Sequence, residues 1–92
     1  KSQLAEIAAY IARAKRPVLI VGHTDGTGDY AYNLKLSQGR AAAVVAALAS
    51  EHGVARALLT PVGVGMASPV ATNRTPAGQA LNRRVEIVER IK

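Results

Sequence analysis

Asp25 and Arg40 are the two residues whose charge and position could do chemistry together. Asp25 closely follows residues 18–22, a short apolar run that reads as a buried strand. The mouth beyond the carboxyl ends of strands is where open α/β sheets place ligands. Arg40 stands three residues after Ser37, which reads as the N-cap of a helix. A helix capped by Ser commonly carries Glu or Gln at that third position. A cation there opposes the macrodipole at a cost of a few tenths to ~1 kcal/mol. An anionic ligand, or the Asp25 carboxylate brought up by the preceding loop, would offset it. Each residue also has a plain reading: Asp25-Gly26 as an ordinary turn pair, and Arg40 as a solvated surface charge. Taken together, one carboxylate and one guanidinium at one mouth complement a zwitterion. An amino-acid head group is such a ligand, and Arg binds its carboxylate bidentately.

Other chemistries have weaker support. His23, Thr24 and Asp25 invite a general-base reading, but the chain has no Cys and no Ser in a strained elbow, and His52 falls at the far end of a helix. A satisfied structural histidine is the better reading, and no catalytic residue, metal or cofactor is expected. Gly63 and Gly65 lack the G-K-[ST] of a phosphate loop. Twelve Lys and Arg against six Asp and Glu leave a net charge of +6, which favours polyanionic surroundings. The basic residues are dispersed and no aromatics are interleaved for base stacking, so nucleic acid is not an expected partner.

The elements that must hold these residues follow from periodicity. Leu4, Ile7, Ala8 and Ile11 form the stripe of an amphipathic helix, with Ser2 as its cap and Pro17 beyond its end. Residues 23–32 read as a loop. The helix capped by Ser37 turns Ala41, Val44, Val45 and Leu48 inward and closes at Gly53, with Val54 making the hydrophobic contact beyond. Residues 58–64 suggest a strand that Pro61 confines to an edge or a bulge. Residues 65–81 read as a long loop. The closing strand runs over residues 83–91, with Val85 and Ile87 on one face. The order helix, strand, helix, strand, strand predicts one α/β domain over residues 1–92, a two-layer sandwich with helices on one face of a small sheet. With no Phe or Trp, aliphatic packing must hold it, and no apolar run approaches the ~20 residues of a membrane span.

Gly22-His23-Thr24-Asp25, Asn33 and Leu36-Ser37-x-x-Arg40-Ala41-x-x-Val44 resemble the central signature of OmpA C-terminal-like domains. Gly63-x-Gly65, Pro69, Asn73, Gly78 and Asn82-Arg83-Arg84-Val85-Glu86 continue the pattern, so the resemblance covers almost the whole chain. It implies a mixed sheet. It also implies a periplasmic domain, part of a membrane-anchored envelope protein, that binds peptidoglycan without cleaving it and so ties a barrel, lipoprotein or stator to the wall. The matching Asp25 and Arg40 would clasp the diaminopimelate of a stem peptide. Thr24, Asn33 and Leu36 match pocket-lining positions. One Arg of the Asn82–Val85 stretch would lie near the ligand, and parity with Val85 favours Arg83 over Arg84. Two departures stand out. Gln79 replaces the family's Arg after the loop glycine, removing a charge that would support the loop. The family's first strand, which precedes the first helix, is missing from this sequence. The unpaired edge so left would invite another chain, and a second reading follows: a dimerisation or partner-docking module of an envelope, motor or secretion complex.

Overall fold

The stripe of Leu4, Ile7, Ala8 and Ile11 forms the inner face of α1 (Ser2–Ala14), with Ile11 fully buried. The computed structural model describes the backbone of residues 2–89 and the side chains of residues 4–89. The cap expected of Ser2 and the reach of the last strand to Ile91 lie outside them. α1 closes on Lys15, whose φ of 53° is left-handed and whose amide donates to the Ile11 carbonyl at 2.8 Å. Arg16, before Pro17, is biased to an extended conformation and leads into β1 (Val18–His23), one residue longer than expected.

The second helix differs from its expected form. α2 spans Tyr30–His52, beginning about two turns early, and its N-cap is Asp29, whose side chain accepts the Tyr32 amide at 3.1 Å. Tyr30 and Tyr32 are exposed, so the apolar period fails in the first turn and hides the start. Ser37 is therefore no cap. It is fully buried in mid-helix, where its hydroxyl donates to the Leu34 carbonyl (3.0 Å) and accepts the Gly65 amide (2.8 Å). Arg40 falls in the third turn. The macrodipole cost expected of it does not arise, and Arg40→Glu would restore no capping box. The other end is as expected: Gly53 has φ 69°, the Gly53 and Val54 amides both reach the Leu48 carbonyl, and Val54 joins the core.

A single 3-10 turn, Arg56–Leu58, leads into β2 (Leu59–Gly65). The segment expected to be one long loop contains α3 (Pro76–Asn82), capped by Thr75, whose hydroxyl accepts the Gly78 amide at 3.0 Å. Its signal was Thr-Pro, a cap followed by the residue best suited to a first helical position. Seven residues are too few for an apolar period to show. β3 (Val85–Glu89) closes the sheet.

The strand order is β2-β1-β3, with β1 parallel to β2 and antiparallel to β3. The sheet is mixed. α1 and α2 cover the face bearing Val18, Ile20, Leu59 and Ile87, and Ala8, Ile11, Ala41, Val45 and Leu48 complete the core. α2 lies close enough to touch main chain. A Cβ on Gly22 would stand 2.5 Å from the Ser37 carbonyl oxygen, and one on Gly63 would overlap the backbone of Gln38. The two edges differ. On β2, Pro61 has no amide, its carbonyl accepts Gln38 Nε2 (3.2 Å), the Gly63 amide donates to Gln38 Oε1 (2.7 Å), and Ser37 takes the Gly65 amide. On β3, the His23 amide donates to the Arg84 carbonyl. The alternation of an antiparallel ladder then turns the main-chain groups of Val85, Ile87 and Glu89 away from β1. Among the described residues nothing caps them.

Candidate ligand-binding site

β1 delivers Asp25 to the carboxyl end of the sheet, and the six-residue connection to α2 fixes it there. Thr24 is buried; its amide donates to the Gly65 carbonyl (2.9 Å) and its hydroxyl to the Asp25 carbonyl (3.0 Å). Asn33 is buried too, and its side-chain amide donates to the Thr27 carbonyl at 2.8 Å, tying the loop to the first turns of α2. Asp25 is 9% exposed, with Oδ1 accepting the Thr27 amide (2.9 Å) and Oδ2 accepting Arg83 Nη1 (2.5 Å). The Thr27 amide first, and the Arg83 guanidinium second, hold this carboxyl below the usual carboxylate range.

Arg83 reaches the site because its neighbour is pinned. Asn82 is fully buried: its Oδ1 accepts the Val70 (2.7 Å) and Ala71 (3.0 Å) amides, and its Nδ2 donates to the Ala71 carbonyl and to Asn73 Oδ1. Gln79, expected to leave the loop without a supporting charge, supports it as a neutral amide through a bond from Nε2 to the Asn73 carbonyl (3.0 Å). Sequence reasoning gave Asn82 no role. A single polar letter does not reveal a buried contact set, and its one signal in the sequence is its place in the Asn82–Glu86 pattern. Of the two adjacent arginines, Arg84 points elsewhere, to Glu86 Oε2 (2.8 Å) and the Asn82 and Ser68 carbonyls. Arg84, ahead of His23, keeps the Glu86 carboxyl below its usual range. His23 is buried, with Nε2 3.1 Å from Glu86 Oε1 and Nδ1 without a partner among the described residues.

Arg40 is exposed and forms no ion pair with Asp25; the described pairs are His23–Glu86, Arg83–Asp25 and Arg84–Glu86. Arg40 instead shares a hollow of about 550 Å³ with Arg83 and Arg84, lined also by His23 and by the apolar Leu4, Ile7, Val44 and Val85. Leu36 is half-buried one turn before Arg40 and does not line that hollow. The structure thus brings Asp25, Thr24, Asn33 and Arg83 into one bonded unit. It sets Arg40 beside that unit, across the hollow, with its guanidinium unpaired among the described residues. The arrangement offers one shielded carboxylate with the Arg83 guanidinium on it, and beside it a hollow lined by Arg83, Arg40 and aliphatic side chains; Asp25, Thr24 and Asn33 are not in that lining.

Known proteins share this architecture. A model of the OmpA family matches residues 1–83. The outer-membrane lipoprotein YfiB of Pseudomonas aeruginosa is 45% identical over 89 residues, covering 96% of this chain and 52% of that protein. The peptidoglycan-binding protein ArfA of Mycobacterium tuberculosis is 48% identical over 71 residues, 77% of this chain and 22% of that protein. The chain therefore spans about half or less of these curated relatives. The crystal structure of the peptidoglycan-associated lipoprotein from Burkholderia pseudomallei superposes with a TM-score of 0.87 at 40% identity, over 97% of this chain and 75% of that one. Fold, mixed sheet and family match agree along nearly the whole length: the chain belongs to the OmpA family.

Proposed function

We propose that this domain holds peptidoglycan non-covalently by the free amino-acid centre of a stem-peptide diaminopimelate, as the periplasmic wall anchor of a larger envelope protein. The observation that carries this reading is the shielded Asp25 carboxylate, kept ionised and set beside the hollow that Arg40 and Arg83 line. Asp25 complements the ligand's ammonium, and Arg40 its carboxylate. The aliphatic wall of Leu4, Ile7, Val44 and Val85 suits the methylene stem between the two centres of diaminopimelate. Thr24 and Asn33 hold the loop that presents Asp25, and Leu36 stands one turn before Arg40 on α2. Relatives described as peptidoglycan-binding and peptidoglycan-associated support the same ligand class. Among the described residues no helix is long and apolar enough to cross a membrane, so attachment to a membrane falls to the rest of such a protein.

Co-sedimentation with purified sacculi tests the proposal. Asp25→Ala and Arg40→Ala should each weaken binding greatly, since truncating one partner of a desolvated charge pair costs ~2–5 kcal/mol. Circular dichroism should show both variants folded. Near-normal binding by the two folded variants would remove the clamp, and release of muropeptides would mark an enzyme instead.

The second reading, self-association or docking of a partner strand, draws on the uncapped β3 edge. Sedimentation velocity on the 92-residue chain separates the two: concentration-dependent dimerisation without sacculus binding would favour the edge.

A further inference from the structure

Asp25 is not a vacant receptor for an ammonium group. Oδ1 carries the Thr27 amide and Oδ2 carries Arg83 Nη1, so any cation arriving at this carboxylate meets one already in place. The two partners differ in freedom. The Asp25 side chain is 12% exposed, whereas that of Arg83 is 44% exposed. Asp25 is further restrained through Thr24 and Thr27, but among the described residues the Arg83 side chain bonds only to Asp25. The carboxylate is the fixed member of the pair, and the guanidinium is the one with room to turn. The hollow into which it can turn also receives Arg40.

We propose that Arg83 is the specificity-determining residue of this site. In the free domain it stands where a ligand ammonium binds, and it yields that place only to a ligand that brings a carboxylate with it. The inference rests on the zwitterion clamp proposed above and goes beyond it, because it assigns the selection to a pre-existing internal pair.

The charge balance explains the selection. Before binding, Asp25 and Arg83 neutralise each other and Arg40 is uncompensated. A zwitterion inserts into the pair: its ammonium takes Oδ2 of Asp25, and its carboxylate receives the released Arg83 together with Arg40. Every charge keeps an opposite neighbour, and the net charge of the site is unchanged. A ligand with an ammonium alone displaces Arg83 and leaves two guanidinium groups facing each other across one hollow. Leaving a charged group unpaired in this way weakens binding by roughly ten- to a hundredfold. A carboxylate alone can bridge the two arginines without opening the pair. The residue thus rejects amines such as the side chain of a lysine fixed in a peptide, while accepting an amino-acid terminus.

Competition for sacculi tests this, with meso-diaminopimelate and a lysine blocked at both its α-amino and α-carboxyl groups as probes. Wild type should prefer diaminopimelate by roughly ten- to a hundredfold. Arg83→Gln should lose most of that preference, and the loss should come from tighter binding of the blocked lysine, which a merely structural role for Arg83 would not produce. Arg83→Lys keeps a cation on Asp25 and should restore the preference. Arg56→Gln, on the 3-10 turn before β2 and outside the lining of the hollow, should leave it unchanged. An Arg83→Gln variant that retains the wild-type preference, or in which the blocked lysine binds no tighter, overturns the inference while leaving the clamp standing. A wild type that binds neither sacculi nor diaminopimelate overturns both. The wild-type chain supplies a measurement that does not depend on the variants folding. The guanidinium NMR signal of Arg83 should shift at saturation with diaminopimelate, and an unmoved signal would also overturn the proposal.

Discussion

The loop at the end of β1 commits a main-chain amide and a guanidinium to one carboxylate, and that has a consequence for acid stability. Asp25 has its folded-state pKa held below the unfolded value of ~3.9. Its contribution is therefore complete above that unfolded value and is lost as pH falls from there through the folded one. The melting temperature of wild type should be insensitive to this group from neutrality to about pH 4 and should drop below it. Asp25→Asn should melt lower at pH 7 and lose less on acidification; parallel curves would mean that the pair contributes nothing to the fold. Asn82 sets a second expectation at this scale. Four hydrogen bonds converge on its buried side chain, so Asn82→Ala strands the Val70 and Ala71 amides and the Ala71 carbonyl. A loss of about 1–3 kcal/mol or more should appear in denaturant melts, and a change below ~0.5 kcal/mol would show that water replaces the side chain freely. Of these residues, Asp25 was legible because it follows an apolar run directly. The dipole reading of Arg40 fails because the cap is Asp29, about three turns upstream. Asn82 was illegible because three of its four partners are backbone groups of Val70 and Ala71, which carry no side-chain signature.

Helix α2 is the element on which the site depends, and glycines in the sheet decide how near it lies. Gly63 has no space for a methyl group against the backbone of Gln38, whereas Gly39, on the exposed side of α2, has nothing within 4 Å of a built Cβ. The two should respond oppositely to the same change. Gly39→Ala should stabilise by about 0.5–1 kcal/mol through helix propensity. Gly63→Ala should destabilise by about 1–3 kcal/mol or more by forcing the helix off the strand. Thermal melts of the two variants decide it, and a Gly63→Ala protein as stable as wild type would show that the contact yields at no cost. At this scale the sequence was a good guide wherever a period could run. The stripe of α1, the inner face of α2, the Gly53 stop and β1 all followed from spacing. It failed at the start of α2, where two exposed tyrosines break the period. It failed again at α3, where one short helix sits inside a polar stretch and only the Thr75-Pro76 pair announces it.

For the molecule as a whole, the charge of +6 offers a rival account of wall binding, plain adhesion to acidic polymer. Adhesion of that kind should fade steeply between low and physiological salt, whereas a shielded pair is screened less. Sacculus binding that survives ~0.15 M salt, while an excess of diaminopimelate abolishes it, fits the clamp; strong salt sensitivity with no competition fits adhesion. The three-stranded order has a last consequence, which concerns force rather than affinity. β1 is the middle strand and Asp25 lies just past its end, so in the anchoring role proposed above a tug from the wall enters the sheet along its central strand. The antiparallel ladder to β3 lies across that direction, and the parallel ladder to β2 lies at a slant to it. Where the opposing pull enters at the end of β3, which pairs with the start of β1, the ladder between them is loaded in shear and is not unzipped from an edge one bond at a time. A domain built this way can hold its ligand weakly and still not be torn open by it.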